Sequence, residues 1–202
     1  MRYPKLRELK EAIKALIKGP YTAKFPYQPH KPYERFRGKP EFHDSDCIGC
    51  GACSQVCPAG AIKLEDIKDK RRLTIRWDLC IFCGQCQASC PTEKGIVLSK
   101  EFDLATTEKR DTLKQEIEKE LLLCQECGEV IAPYEQILWV AKRLGPLMFS
   151  NPSLMLFYLK NLDLIFSKEE KEEFLTQEKE FLRQDRIKIL CPRCKRQAVL
   201  KS

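Results

Sequence analysis

The sequence predicts an α+β chain in three stretches. These are an N-terminal helix and extended arm (1–40), a small α+β cysteine-rich domain (41–100), and a mostly helical region closed by a second kind of cysteine site (101–202). Three observations carry this expectation. Twelve of the 202 residues are cysteine, against two histidines. Eight of those cysteines form two copies of one pattern at a fixed offset. The apolar period also changes from helical in residues 5–18 to alternating in residues 61–77. Hydrophobic residues make up 43% and charged residues 32%, which fits a folded, soluble chain rather than a disordered one. Met1–Lys5 opens with nothing like the apolar core of a signal peptide, and no apolar run approaches the ~18 residues of a membrane span. Thiols this numerous in a reducing compartment point to metal rather than to disulfides.

The first quartet is Cys47-Ile48-Gly49-Cys50-Gly51-Ala52-Cys53-Ser54-Gln55-Val56-Cys57-Pro58. The second is Cys80-Ile81-Phe82-Cys83-Gly84-Gln85-Cys86-Gln87-Ala88-Ser89-Cys90-Pro91. Every cysteine recurs after 33 residues, together with Ile48/Ile81, Gly51/Gly84 and Pro58/Pro91. This is the bacterial ferredoxin pattern C-x2-C-x2-C-x3-C-P. Thiolates two residues apart can wrap the corners of one cubane, and the small residues between them let the backbone come close. In two-cluster folds the fourth cysteine ligates the other cluster. That rule assigns Cys47, Cys50, Cys53 and Cys90 to one 4Fe–4S cluster, and Cys80, Cys83, Cys86 and Cys57 to the other. Between the quartets, Ala61–Leu64 and Leu73–Trp77 alternate as a β-hairpin, with the charged segment Asp66–Arg72 as its turn.

The last four cysteines follow another grammar. Cys124-Gln125-Glu126-Cys127-Gly128 and Cys191-Pro192-Arg193-Cys194-Lys195 are two knuckles far apart in the chain. Backbone amides of such turns donate to sulfur, and four thiolates with no open position suit a structural Zn²⁺ site of zinc-ribbon type. A single iron is the less favoured occupant, and a redox dithiol less favoured still.

Leu6, Leu9, Ile13, Leu16 and Ile17 recur at helical spacing among Lys5, Arg7, Lys10, Lys14 and Lys18, and Gly19-Pro20 ends the helix. A basic amphipathic helix of this kind lies on an anionic membrane, docks on a partner, or packs on its own domain; an external contact is favoured. Pro20–Pro40 interleaves prolines with Tyr21, Phe25, Tyr27, Tyr33 and Phe36, which favours an extended strap over a free linker. Further on, Glu101–Leu123 is expected as a charged helix with Leu113, Ile117 and Leu121 on one face. Tyr134–Leu144 is a second helix and Ser167–Arg186 a third, with Ile187–Leu190 a short strand before the last knuckle. The apolar stretches Leu147–Phe149 and Leu154–Leu159 serve either as the core of that subdomain or as a partner contact.

The formal charge of +7 is unevenly placed. Residues 1–40 hold 11 Lys/Arg against 3 Asp/Glu, while the other 162 hold 25 against 26. No basic face remains for nucleic acid. Four thiolates around an oxidised cubane, or around zinc, also carry a net charge of about −2 each. No nucleophile–base constellation, acid pair or phosphate loop is present, and His30 and His43 lie in or beside the proline arm. The chain is therefore expected to be non-catalytic.

Arg37-Gly38-Lys39-Pro40 before the first quartet, the hairpin between quartets and Cys80-Ile81-Phe82-Cys83-Gly84 resemble the twin-cluster ferredoxin-like subunit of respiratory complex I. The tail, Cys191-Pro192-Arg193-Cys194-Lys195-Arg196-Gln197, is similar to that of the electron-transfer subunit of formate hydrogenlyase and related membrane-bound [NiFe] hydrogenases. The stretch between the knuckles is longer and more apolar than that family suggests. The resemblance implies a relay of single electrons between a cluster-bearing donor subunit and the hydrogenase or complex I-like small and large subunits. It places the chain peripherally on the cytoplasmic side of the membrane, held by membrane subunits or by the N-terminal helix. Arg37 and Arg76 are candidates for raising a cluster potential by favouring the more negative reduced form.

Overall fold

The computed structural model describes residues 5–19, 22–107, 110–162 and 188–200. It divides into two compact units, residues 1–36 and 37–202. In the first unit, helix α1 (Leu6–Lys18) has no buried residue, and its backbone ends at Gly19, whose φ of 75° suits a residue without Cβ. The expected 5–18 helix is thus present, with Leu6, Leu16 and Ile17 all exposed.

In the second unit, the 33-residue repeat is a repeat of backbone as well as of sequence. Helices α2 (Ala52–Gln55) and α3 (Gln85–Ala88) begin after Gly51 and Gly84, whose φ, ψ pairs are 77°, 4° and 79°, 3°. The left-handed residues Gly49 and Phe82 are also 33 apart, as are Gly60 and Glu93. Strand β1 (Pro40–Phe42) pairs antiparallel with β4 (Ile96–Leu98), and β2 (Ile62–Ile67) with β3 (Lys70–Arg76). Of the facing pairs Phe42/Ile96 and Ile62/Ile75, Phe42 and Ile75 are 33 residues apart and Ile62 and Ile96 are 34 apart, and all four side chains are buried in one core with Leu73, Ile117, Cys53 and Cys86. Apolar residues next to the cysteines thus fold the two halves against each other.

The hairpin is longer than its alternating segments suggested. Pairing runs out to Ile67↔Lys70, leaving only Lys68 and Asp69 at the turn. The charged tip remains strand because opposite charges meet across it: Arg71 Nε and Nη2 donate to Asp66 Oδ1 and Oδ2 at 2.7 and 2.8 Å.

The region after residue 100 corrects a sequence expectation. Glu101–Leu123 is not a helix; it runs through a short 3-10 turn (Arg110–Thr112) into β5 (Lys114–Leu123), which pairs with β3 over seven residues from Lys70↔Glu120 to Arg76↔Lys114. Ile117 and Leu121 are four apart, a spacing that fits a strand's inner face as well as a helix. Sheet order is β2-β3-β5-β6, with β6 at Val130–Pro133. The side chain of Gln115 also holds β1, accepting from Phe42 N at 2.8 Å and donating to Phe42 O at 3.0 Å.

Helix α4 (Tyr134–Leu144) follows with the expected bounds and ends at Gly145. A 3-10 segment (Gly145–Ser150) leads to α5 (Pro152–Asn161), where Asn151 Oδ1 accepts from Ser153 N and Leu154 N as the N-cap. The apolar stretch divides its roles: Met148 and Phe157 are buried, the latter edge-on to Tyr134 with ring centroids 4.7 Å apart, while Leu147 and Phe149 are exposed. The expected Ser167–Arg186 helix lies outside the described residues. Of the expected Ile187–Leu190 strand, residues 188–190 are irregular, and helix α6 (Pro192–Leu200) follows. Among the described residues no helix is long and apolar enough to cross a membrane.

Candidate metal centres

Two cavities flank the repeat. One, enclosing about 300 Å³ that is partly open to solvent, is lined by Cys47, Cys50, Cys53 and Cys90 with Phe42, Ile48, Leu73 and Ile96. The other, about 340 Å³, is lined by Cys80, Cys83, Cys86 and Cys57 with Pro40, Ile62, Ile75 and Leu98. Each draws three cysteines from one repeat and the fourth from the other. Cys53 and Cys57 line different cavities though only four residues apart, so the sites are neighbours within about 14 Å along the chain at most.

The lining suits a cationic iron–sulfur core. Burial, aided by neighbouring thiols, pushes Cys53 up to about 12, and burial pushes Cys86 up to about 11. These sulfurs are neutral thiols unless a metal stabilises the thiolate. Polar partners are already arranged for sulfur: Phe82 N donates to Cys80 Sγ at 3.4 Å, and Thr92 Oγ1 lies 3.3 Å from Cys90 Sγ while accepting from Gly95 N. Among the described residues no carboxylate lines either cavity.

Arg37 Nη1 donates to the carbonyl of Cys83 at 2.9 Å, beside the second cavity. Arg76 lines neither cavity and holds Asp78 through both carboxylate oxygens, at 3.1 and 2.6 Å. Three contributors were not apparent from the sequence. Thr92 stands where the first repeat has Ala59, so the repeat does not point to it. Arg71 Nη1 donates to Gly49 O at 3.2 Å, and Lys119 packs beside the same glycine. A lysine between Ile117 and Leu121 was the available sign for the last.

The third site gathers Cys124, Cys127, Cys191 and Cys194, whose sulfurs all lie within 4.8 Å of one another. A tetrahedron with metal–sulfur bonds of about 2.3 Å has edges of about 3.8 Å, and Cys127 Sγ and Cys191 Sγ are 3.7 Å apart. The first knuckle is the turn between β5 and β6, closed by Cys124 N to Glu129 O and by Gly128 N to Cys124 O. The second docks on it: Gln125 N donates to Ile189 O, Ile189 N to Gln125 Oε1, and Cys191 N to Cys124 Sγ at 3.3 Å. Burial works against ionising Cys124, but the converging amides of Cys127, Cys191 and Glu126 outweigh it and hold this thiol below its ordinary value. Four sulfurs this close fit one cation and leave no open coordination position among them.

These features define a two-cluster iron–sulfur domain with an added four-cysteine site. A model of the 4Fe–4S dicluster domain family matches residues 46–96. Formate hydrogenlyase subunit 6 of Escherichia coli is 35% identical over 129 residues, covering 62% of this chain and 70% of that protein. NADH-quinone oxidoreductase subunit I of Carboxydothermus hydrogenoformans is 41% identical over 71 residues, covering 34% of this chain and 51% of the relative. Subunit I 2 of the same enzyme type from Geobacter metallireducens is 31% identical over 121 residues, covering 55% of this chain and 92% of the relative. In a solved structure of the membrane-bound sulfane sulfur reductase, an archaeal respiratory membrane complex, one chain matches with 33% identity and a TM-score of 0.40, covering 54% of this chain and 60% of that one. The chain belongs to the family of iron–sulfur subunits that includes formate hydrogenlyase subunit 6 and NADH-quinone oxidoreductase subunit I.

Proposed function

We propose that this chain is the electron relay of a membrane-associated, hydrogenase-type complex and performs no bond chemistry itself. Cys47, Cys50, Cys53 and Cys90 hold one 4Fe–4S cluster, and Cys80, Cys83, Cys86 and Cys57 hold the other. The observation that carries this reading is the pair of cavities, each lined by four cysteines drawn from both repeats. When bound, each cluster takes up and passes on one electron. The protein supplies thiolates, apolar shielding and amide donors to sulfur, which set the potential. Cys124, Cys127, Cys191 and Cys194 hold a structural zinc. The chain sits on the cytoplasmic side of the membrane, attached through its partners.

The repeat also supports a docking face. Ile48 and Ile81 are equivalent, yet Ile48 is 9% exposed, in a cleft it shares with Leu138 and Trp139 of α4, whereas Ile81 is 62% exposed. Val56 and Leu79, next to Cys57 and Cys80, are exposed as well. We assign this apolar rim of the second cavity to a partner subunit that covers Ile81 with apolar side chains.

The test is anaerobic affinity purification from detergent-solubilised membranes, with metal analysis, mass spectrometry and an H₂-evolution assay. The expected product contains this chain, with about eight irons and one zinc from its ligand counts, together with a nickel-bearing subunit. Ile81→Asp should lose the partners while keeping the irons. Partners without nickel would instead support the relay role in a complex I-like quinone reductase, the alternative that the subunit I relatives favour.

A further inference from the structure

The two cluster sites differ in how deeply a positive charge is buried beside them. Lys119 lies on β5 with its side chain 4% exposed, the one buried charged residue among those described. Its Cβ and Cγ lie 3.1 Å from where a side chain on Gly49 would begin, so its stem packs against the Cys47–Cys50 loop. Its ammonium donates to Asp44 O at 2.6 Å and pairs with Asp44 Oδ1 at 2.9 Å and Glu135 Oε2 at 2.8 Å. Asp44 and Glu135 are 72% and 46% exposed, so water screens their charges much more than it screens the lysine. Arg71 reaches the same loop at Gly49 O but is matched by the two-point pair with Asp66. The position 33 residues after Asp44 is Trp77, and over its ring lies Lys39 Nζ at 4.6 Å; at 14% exposed this lysine is less buried than Lys119 and is matched by Glu41 and Glu101, while Arg37 at the second site is exposed.

We infer that Lys119 is a potential-setting residue: its buried charge favours the reduced state of the first cluster selectively and makes the two clusters unequal. The inference rests on the relay reading above. Adding one electron takes a cubane with four thiolates from about −2 to about −3 with no bond made or broken. A fixed cation under its loop therefore stabilises the reduced form more than the oxidised one. Burial costs the ammonium solvation, and the hydrogen bonds and charges of Glu135 and Asp44 more than offset that, holding Lys119 protonated above its ordinary range. The bias is thus constant through neutral pH.

The test is an EPR-monitored redox titration of the purified, cluster-loaded full chain. The unmodified protein must first show about eight irons and two one-electron transitions; failure there would sink the relay reading itself. With both present, Lys119→Met is expected to shift one transition at least tenfold toward the oxidised form, which is 59 mV downward for one electron. The other should stay in place, and Lys119→Arg should stay near the unmodified values. Both transitions unmoved, or both moved together, would overturn the inference. Should Lys119→Met fail to take up iron, Lys119→Gln decides: its neutral amide can still donate to Asp44 O, so one midpoint alone should fall, and an unchanged pair of midpoints counts against Lys119.

Discussion

Gly49 and Phe82 occupy one position of the repeat with the same left-handed backbone, at φ 68° and 53°. Phe82 is a side chain in a conformation that costs about 1–2 kcal/mol. Space decides which residue each copy carries. A Cβ on Gly49 would stand 3.1 Å from Lys119 and 3.2 Å from Pro133 Cβ, whereas Gly60, also left-handed, has nothing within 4 Å. Gly60→Ala should therefore cost only the conformational ~1 kcal/mol, and Gly49→Ala clearly more, as read from denaturant midpoints of the loaded protein. Equal losses would mean that Lys119 and Pro133 yield easily. The hairpin tip gives a prediction in pH. The Arg71 hydrogen bonds hold the Asp66 carboxyl below its ordinary range, against partial burial, so its contribution is present above the unfolded pKa of about 3.9 and fades as pH falls through the lower folded value. Asp66→Asn should cost about 0.5 kcal/mol, with the same gap at pH 5 and pH 8. A gap already narrowing at pH 5 would show that the carboxyl is not held down.

At the scale of elements, the alternation around the hairpin was enough to place β2 and β3, because a two-sided core leaves few options. Strand β5 was hidden by its own composition. Lys114–Leu123 is rich in Lys and Glu, which favour helix when taken locally, and the polar residue at position 119 interrupts the alternation that marks a strand. What overrides propensity is tertiary pairing: seven register pairs with β3 and the burial of Ile117 and Leu121. The long-range pairing also explains why Gln115 drew no attention as a sequence position. Its amide takes the place of a strand neighbour for both backbone groups of Phe42. Gln115→Ala should leave a part-buried N–H and C=O unpaired and cost about 2 kcal/mol. Faster amide exchange is expected in residues 40–42 and 96–98, with β2–β3 unchanged. Uniform loosening of both sheets would mean that the glutamine does not act locally.

Across the whole second unit, two cysteine-lined parts meet along β5, one end of which packs on the core beside the two cavities while the other leads into Cys124. Their stabilities need not be linked. Ile117 belongs to the core built around Phe42, Leu73 and Ile75, whereas the cluster of Cys124, Cys191 and Cys194 has Ile131 and Leu190 packed against it among the described residues. A cation held by the four sulfurs would add to the hydrogen bonds of Gln125 with Ile189 in tying the second knuckle to the first. Cys191→Ser should therefore lose any metal held by this site and release residues 188–200 to limited proteolysis. The iron content, both EPR signals and both midpoints should persist, because β5 stays registered on β3. Loss of the EPR signals together with the metal of this site would show instead that the four-cysteine site is needed to build the cluster domain, and the two parts would have to be treated as one cooperative unit.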